Sequence, residues 1–429
     1  MWALQGVRLA NGDLADIVVE GDRIVDVRRG AADGVAEALT CSEKLVLPAF
    51  IDGHVHLDKA LIRDELSEHD GTLRGAIDAI HERKRRYTSD DVRARARSVI
   101  EESVRLGTTR LRSHVDVDTI GGLVPLEGVM AAAADSADIA EVCTIAFPQE
   151  GLLRDPGAYD LMVAALEAGA DVVGGMPHWE HDEASQREHV RLCFDLAERF
   201  GRDLDMHVDE TDDGGVRTLE MVADEALRRG YIGRVCAGHV CSLAAADQQY
   251  ADGVIDKCLR AEITIAANAV TNLVLQGRQD RGLIRRGTTR IGELRAAGVN
   301  VLFGQDCVKD GFYPFGRGSM LEVAMISAHA AHLTTNADLD FALRAVTEAP
   351  AQTMRLSDYG LRPGARADLQ LLPVPTWSEA LRLQPLPEKV WFRGRLVAEN
   401  SVRSTIHRVR PPSASPVRGP VSESPGQAE

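Results

Sequence analysis

Two patterns of hydrophobic and polar positions alternate along the chain. Near the amino-terminal end, residues 16–27 form two short apolar runs around a Gly-Asp pair, which predicts a β-hairpin with glycine in its turn. Near the other end, residues 368–372 and 390–397 also have strand character. Strand-rich segments at both ends predict a small β-sandwich domain built from the two termini, with two separate edge hairpins as the alternative.

The pattern changes between about residues 48 and 355. Short apolar strands alternate there with longer amphipathic stretches rich in Ala, Arg, Glu and Leu, which is typical of parallel strands joined by helices. Eight strands are predicted, at 45–51, 109–115, 141–147, 171–176, 203–208, 235–239, 262–267 and 299–304. Eight such units fit a closed (β/α)8 barrel of the TIM type. An open doubly wound sheet is the alternative that strand counting leaves open.

These patterns divide the chain into an α/β protein of two domains and a tail. We expect residues 1–47 and 365–405 to form the β-sandwich domain and residues 48–364 to form the barrel, which carries the metal chemistry described below. Residues 411–429 consist mostly of Pro, Ser, Gly and charged residues. Because such a segment cannot bury a core, we expect it to be disordered.

Composition limits the classes of partner. The 429 residues include 49 Lys plus Arg and 65 Asp plus Glu, a formal net charge of −16, which argues against nucleic acid or an anionic membrane as the main partner. No apolar run approaches the roughly 20 residues of a membrane span, and no secretory signal is visible. The seven cysteines are scattered without CxxC spacing, so neither a disulfide framework nor a four-cysteine zinc module is expected. We expect a cytoplasmic homo-oligomer.

Residues that can bind a metal stand at the ends of several predicted strands. His54 and His56 follow the first strand, and their side chains point to the same side because side chains alternate between the faces of a strand. His207 lies in the motif that ends the fifth strand, His239 ends the sixth, and Asp306 follows the eighth. Two imidazoles on one face form a ready metal chelate. The sequence therefore indicates metal chemistry at the carboxyl ends of the strands.

Together these motifs resemble the amidohydrolase superfamily, whose members are (β/α)8 barrels with HxH on strand one, His on strand five or six and Asp on strand eight. The resemblance spans nearly the whole chain. It is strongest to cytosine deaminase and its relatives, and rests there on six segments, at 54–58, 114–117, 146–151, 176–179, 207–210 and 304–316.

The resemblance implies a ligand set and a metal count. It implies one divalent zinc or iron ion per chain, bound by His54, His56, His207 and Asp306. Members with two metals bridge them through a carboxylated lysine, usually at the end of strand four. No lysine lies between Lys84 and Lys257, so we expect a mononuclear site.

The resemblance also implies catalytic roles that agree with the chemistry of the side chains. Asp306 can take a proton from the hydrolytic water, and Glu210 can deliver a proton to a ring nitrogen and then to departing ammonia. His239 can hold the attacking oxygen through a hydrogen bond. Gln149 is implied as the residue that reads the amide edge of the substrate.

One position departs from the pattern of cytosine deaminases. These enzymes have a second acidic residue directly after the strand-eight aspartate, where this chain has Cys307. Their nearby tryptophan corresponds here to Phe312 or Tyr313, and an aromatic ring can still stack on a flat heterocycle. Losing a carboxylate partner changes which substrates leave buried polar groups unpaired, so cytosine itself is in doubt as the substrate. Further candidates for the pocket wall are Trp179, His178 and His181.

Other polar residues near these motifs are interpreted as supporting, packing or solvent-exposed residues. Asp58 and Lys59 follow the HxH motif and either orient the ligands or form a surface ion pair. His114 is interpreted as a residue that packs or hydrogen-bonds near the barrel mouth. The basic run at 81–86 is interpreted as a solvated helix face.

The sequence thus predicts a metal-dependent aminohydrolase, a deaminase with a small heterocycle and water as its partners. Its expected substrate carries an amidine-like C–NH2 group, as cytosine, isocytosine, a pterin or an aminotriazine does. In the alternative, the same site hydrolyses a different bond. That bond is either a C–N bond to a substituted amine, as in N-isopropylammelide amidohydrolase, or the amide bond of a cyclic amide. A third hypothesis is a catalytically silent binding protein on the same scaffold.

Overall fold

The computed structural model describes residues 1–67 and 73–407, so the predicted disordered tail at 411–429 lies outside the described residues. The described strands are β1 Trp2–Arg8, β2 Leu14–Glu20, β3 Arg23–Arg28, β4 Ala38–Thr40, β5 Leu45–Pro48, β6 Phe50–Val55, β7 Thr108–Asp116, β8 Glu141–Phe147, β9 Val172–Gly175, β10 Asp203–Val208, β11 Val235–His239, β12 Thr264–Ala267, β13 Val301–Phe303, β14 Leu369–Leu372, β15 Lys389–Phe392 and β16 Arg395–Glu399. The described α-helices are α1 Leu73–Lys84, α2 Ser89–Arg105, α3 Val124–Asp135, α4 Ala158–Glu167, α5 Glu183–Phe200, α6 Thr218–Arg229, α7 Gln248–Arg260, α8 Ala269–Leu275, α9 Ile291–Ala297, α10 Met320–Ala330, α11 Asn336–Arg344, α12 Glu348–Thr353 and α13 Trp377–Leu383.

Strands β6 to β13 form a parallel sheet of eight strands in sequence order. The sheet closes just beyond its last strand, where Val55 and Asp306 form a parallel bridge. The backbone N–H of His56 donates to the carbonyl of Asp306 at 2.8 Å, and the N–H of Asp306 donates to the carbonyl of His54 at 2.7 Å. The predicted (β/α)8 barrel is therefore confirmed, and the open doubly wound sheet is excluded.

The first predicted barrel strand, at 45–51, is wrong in its extent. It covers two strands that belong to different sheets, β5 in the terminal sheet and β6 in the barrel. Pro48 ends β5, since proline has no N–H to continue a ladder. The backbone N–H of Ala49 still donates to Asp368, whereas that of Phe50 already donates to Gly107 beside the barrel strand β7. A continuous apolar run does not reveal this change of partner.

The two termini meet in one sheet of eight strands. Its order is β16-β15-β14-β5-β1-β2-β3, with β4 paired to β1, so the terminal segments do not form separate edge hairpins. Strand β5 joins the sheet to the barrel because its side chains alternate. Leu45 and Leu47 pack into the core of the barrel, and Val46 packs with Leu4 and Ile17 in the core of the terminal sheet.

The connection between β6 and β7 carries more than the single helix of a simple barrel unit. Helix α1 comes first and packs near the barrel mouth, and α2 follows as the helix that leads into β7. Helix α2 begins after Thr88, whose side chain accepts a hydrogen bond from the N–H of Asp91. Among the described residues, no helix is both long and apolar enough to span a membrane. The domain division at 47/48 and 364/365 stays a proposal.

Candidate active site

Three histidines and one aspartate converge at the carboxyl ends of the barrel strands. His56 Nε2 lies 3.1 Å from His207 Nε2 and 3.3 Å from Asp306 Oδ1. His54 Nε2 lies 3.5 Å from the same oxygen of Asp306. His239 also reaches this cluster, because ligand atoms of His54, His207, His239 and Asp306 all lie within 4.8 Å of one another. The structure thus brings together every residue of the predicted metal set.

The donor atoms of this cluster fit a divalent metal. His56 and His207 face each other with their Nε2 atoms at a distance that lets both reach one ion at the about 2.0–2.1 Å of zinc–nitrogen bonds. Burial lowers the pKa of both imidazoles below its usual value, so both are neutral and offer lone pairs. Burial alone raises the pKa of Asp306, but His239 and hydrogen bonds from His54 and His56 bring it below the usual range. Neutral imidazoles beside a carboxylate suit zinc or iron.

The backbone is strained at two of these positions. His239 has φ of 71° and Asp306 has φ of 65°, which is the left-handed region that residues other than glycine rarely adopt. Each such residue costs on the order of 1–3 kcal/mol, and such strain concentrates at functional sites. At Asp306 the strained backbone also makes the hydrogen bonds that close the barrel, so the fold itself holds the carboxylate in place.

Glu210 lies beside His239 at the edge of the cluster. Its Oε1 atom lies 3.3 Å from His239 Nδ1. The amide Nδ2 of Asn272 lies 3.1 Å from the same nitrogen and 3.4 Å from Glu210 Oε1, and Asn268 Nδ2 lies 3.3 Å from His239 Nε2. Burial, and then the charge of Asp306, raise the pKa of Glu210 well above its usual range. Its buried position therefore favours the protonated form of the carboxyl beside the cluster.

Lys59 and Lys84 form a buried charge network on the other side of the cluster. Lys59 Nζ lies 2.7 Å from Asp116 Oδ1, and Lys84 Nζ lies 2.6 Å from Asp116 Oδ2 and from Asp118 Oδ2. The lysine side chains are 1% and 0% exposed. Burial and the charge of Asp116 raise the pKa of Asp58, which accepts from the backbone N–H of Asp116, to about 7. The surface ion pair considered for Asp58 and Lys59 is therefore excluded.

The solvated helix face predicted for residues 81–86 is wrong in part. Within α1 and the turn after it, Glu82, Arg85 and Arg86 are exposed as expected, but Arg83 and Lys84 are buried. A run of charged residues indicates a solvated face because lone buried charges are costly. For Lys84 this cost is offset, because the carboxylates of Asp116, at the end of β7, and of Asp118 both lie 2.6 Å from its ammonium group.

A cavity of about 220 Å³ opens in front of the cluster. The predicted substrate-binding residues Gln149, Trp179, Cys307 and Phe312 all line it, as does His178. Gln149 Oε1 accepts a hydrogen bond from Lys59 Nζ at 2.8 Å, and its Nε2 donates to Met176 Sδ at 3.5 Å, which leaves the second amide N–H for a bound molecule. His181, the third predicted wall residue, is exposed and is not part of the lining. His114 is buried inside the barrel, with Nε2 3.4 Å from Asp205 Oδ1.

A buried carboxylate holds the loop that carries Gln149. Glu180 accepts from the backbone N–H groups of Leu152, Leu153 and Arg154 at 2.7, 3.1 and 3.0 Å. His189 donates from Nδ1 to Glu180 at 2.7 Å and accepts at Nε2 from the N–H of Met176 at 3.0 Å. Position 151 must be glycine, since its φ is 89° and a Cβ there would lie 2.8 Å from a Glu180 oxygen.

Replacing this carboxylate is expected to destabilise the protein. Glu180→Gln keeps the shape but turns one acceptor into an amide that faces N–H donors, so the free energy of unfolding should fall by about 1.5–3 kcal/mol. Thermal or urea unfolding measures this change. Glu183→Gln, on the exposed start of α5, is the matched control and should change stability by less than about 0.5 kcal/mol. Equal stability of the two variants would contradict the anchoring role.

Several site residues were missed by sequence reasoning. Asn268 stands directly after the barrel strand β12, so the strand end indicates it, and Asn272 lies four residues further on, one turn into α8. The contacts of Lys84 with Asp116 and of Glu180 with the backbone of residues 152–154 join segments that are distant in the chain. No local pattern could have revealed these contacts.

Comparisons with known proteins agree with this fold and site. Residues 59–398 match the model of the Amidohydrolase family. A pterin deaminase of Rhizobium rhizogenes is 34% identical over 393 residues, which cover 90% of this chain and 88% of the relative. An N-isopropylammelide isopropyl amidohydrolase of Pseudomonas sp. is 27% identical over 90% of this chain and 94% of its own. The crystal structure of 5-methylcytosine deaminase from Klebsiella pneumoniae with 5-fluorocytosine superposes with a TM-score of 0.90 at 34% identity, over 94% of this chain and 99% of that chain.

The barrel, its metal-binding cluster and these similarities define a hydrolase of a metal-dependent class. The chain belongs to the amidohydrolase family. Within it, the chain falls in the cytosine deaminase-like subgroup and is a hydrolytic enzyme that acts on C–N bonds. The family and the class of reaction predicted from the sequence are confirmed, and a silent binding protein is no longer needed as a hypothesis.

Proposed function

We propose that this enzyme is a deaminase that hydrolyses the C–NH2 group of a small nitrogen heterocycle and releases ammonia. The observation that carries the proposal is the position of Glu210, a buried carboxyl with a raised pKa that lies 3.3 Å from His239 at the edge of the His/Asp cluster. Removing an amino group needs a proton for the ring nitrogen and another for the leaving amine. The similarity to deaminases of pterin and 5-methylcytosine supports the same reaction.

We assign one divalent zinc or iron ion per chain to the cluster. Its ligands in this proposal are His54, His56, His207 and Asp306. The end of β9, where a bridging lysine would stand, has the sequence Val-Val-Gly-Gly, so one ion is expected. When bound, the ion acts as a Lewis acid and makes a water molecule acidic enough to serve as the nucleophile near neutral pH.

The protein side chains then have distinct roles in moving protons. Asp306 takes a proton from the attacking water, whose oxygen adds to the amidine carbon. Glu210 gives its proton to the adjacent ring nitrogen, which makes that carbon more electrophilic. The Glu210 carboxylate then takes the second proton of the added water and passes it to the leaving amine, so that ammonia departs as the C–N bond breaks and the carbonyl forms. The proton held by Asp306 returns to Glu210. His239, whose Nδ1 accepts a hydrogen bond from the amide of Asn272, donates from Nε2 to the attacking oxygen and stabilises its developing charge.

The substrate would lie between Gln149 and Phe312. Lys59 donates to the Gln149 carbonyl and one amide N–H contacts Met176 Sδ, so the remaining N–H would donate to a ring carbonyl of the substrate. The rings of Phe312 and Trp179 line the cavity and would stack on a flat heterocycle. Cys307 is only 3% exposed and places a neutral thiol where cytosine deaminases have a carboxylate. We therefore propose that the natural substrate is a compound other than cytosine itself.

Product analysis tests this function. The metal-loaded enzyme should release ammonia from at least one of cytosine, isocytosine, pterin or an aminotriazine, measured by a coupled ammonia assay. Release of an alkylamine from an N-alkylated triazine, with no ammonia from any of these compounds, would shift the assignment to the related dealkylating reaction. No turnover of either kind by an enzyme with a full metal content would overturn the proposal.

Cys307→Asp is expected to raise kcat/KM for cytosine relative to the preferred substrate. A carboxylate there would accept a hydrogen bond from a ring N–H, and this site has no charged group at that position. Cys307→Ser, which is similar in size and uncharged, is the control and should leave the ratio of the two kcat/KM values near that of the wild type. An unchanged ratio in a folded, metal-loaded Asp variant would remove Cys307 from the substrate contacts.

A further inference from the structure

One face of α1 lines the cavity at its outer end. Ile77, Ile80, His81 and Lys84 all contribute to the lining, and their spacing of three, four and seven residues places them on a single side of the helix. Because α1 precedes the helix that completes the first barrel unit, this wall is an addition to the barrel. The face is apolar at its start and polar toward its end.

Two side chains of this face, Lys84 and His81, are bonded to residues beside the reaction centre. Lys84 binds Asp116 and Asp118 at the end of β7, with both distances at 2.6 Å. His81 Nε2 lies 2.7 Å from Glu150 Oε1. Glu150 directly follows Gln149, the residue proposed to contact the reacting ring. A group attached to the far side of that ring would therefore extend toward Glu150 and α1.

The pair of His81 and Glu150 differs from the buried lysine network. Their side chains are 18% and 17% exposed, and both line the cavity, so a bound molecule can reach them. A carboxylate that accepts one hydrogen bond from histidine has capacity for more. Ile77, Ile80 and Phe312 provide apolar surface beside it. We call these five residues the distal subsite.

We propose that the distal subsite binds the second ring of a bicyclic amino-heterocycle and that Glu150 accepts a hydrogen bond from a polar substituent on that ring. The inference rests on the proposed deaminase function and names the substrate class of the same site. The apolar residues contact the ring, and the carboxylate favours a donor such as a hydroxymethyl group. It disfavours a carboxylate substituent, because two negative charges at close range repel each other. The substrate class is thus a pterin-like bicycle with a hydrogen-bond donor beyond the reacting ring.

Four compounds that share the reacting ring test this inference. Isocytosine presents that ring alone, pterin adds the second ring, and 6-hydroxymethylpterin and 6-carboxypterin add a donor or an anion. We expect the wild type to have the highest kcat/KM for 6-hydroxymethylpterin. Glu150→Gln should lower the ratio of kcat/KM for the hydroxymethyl compound over the carboxy compound by about tenfold, since a hydrogen bond to a charged group is lost and a repulsion is removed.

A matched control lies on the same helix. Glu82 carries the same charge on the solvent side of α1, with its side chain 60% exposed, so Glu82→Gln should leave the ratio as in the wild type. If Glu150→Gln lowers turnover of isocytosine and of 6-hydroxymethylpterin by the same factor, the carboxylate only supports α1 and the inference is wrong. A wild type that deaminates other heterocycles and prefers isocytosine, or accepts none of the four, also overturns it. Silence toward every heterocycle instead contradicts the proposed function itself.

Discussion

Glu210→Gln is expected to lower kcat by roughly 10²–10⁴-fold, the usual contribution of a placed general acid–base, while the metal content stays near that of the wild type. The amide keeps the shape of the side chain and can still contact Asn272, which lies 3.4 Å from Glu210 Oε1. It cannot carry the titrating proton. Steady-state kinetics with the best substrate, together with elemental analysis of the same preparation, measures both quantities.

The two possible failures of this prediction have different meanings. A Glu210→Gln variant that loses its metal shows that Glu210 either is a metal ligand or holds a metal ligand in place. A variant with full activity shows that another group carries the proton, and His114 is then the next histidine to test. Neither result alters the family of the protein or the reaction class.

His207→Ala is expected to lose both the metal and essentially all activity. Its Nε2 atom lies 3.1 Å from that of His56, so its removal takes one of the converging nitrogen donors from the proposed ligand set. Elemental analysis should find close to one zinc or iron per chain in the wild type and much less in the variant. Two tightly bound ions per active chain would contradict the argument from the absent strand-four lysine.

An exposed histidine provides the control for this loss. His181 lies close in sequence to the cavity wall, yet its side chain is exposed and does not line the cavity. His181→Ala should therefore keep the metal content and the kcat of the wild type. If His207→Ala retains its metal as His181→Ala does, the ligand set proposed here is wrong, and His239 becomes the substitute ligand to examine, since it reaches the same cluster.

The sequence alone determined the architecture and the reaction class. Alternation and apolar runs are local properties, so they revealed the hairpin β2–β3 and most of the barrel strands, and 141–147, 203–208 and 235–239 agree with the structure in both bounds. The metal-binding cluster was also accessible, because parallel strands of a barrel bring their carboxyl ends to one edge wherever they lie in the chain. Residues such as His54 and Asp306 could be grouped without knowing any distance.

Only the tertiary structure decided the contacts that depend on which distant segments meet. The run 45–51 is uniformly apolar, and the hydrogen-bond partners of Ala49 and Phe50 determine that it serves two sheets. Lys84 was predicted to be solvated because a charge is buried only where opposite charges lie beside it. Its two partners are Asp116, which ends β7, and Asp118 just after that strand. Glu180 likewise accepts from the backbone N–H groups of Leu152 and Arg154, which lie 28 and 26 residues away in the chain. Local patterns fix which face of an element is buried, whereas the choice of partner for a buried charge is a property of the whole fold.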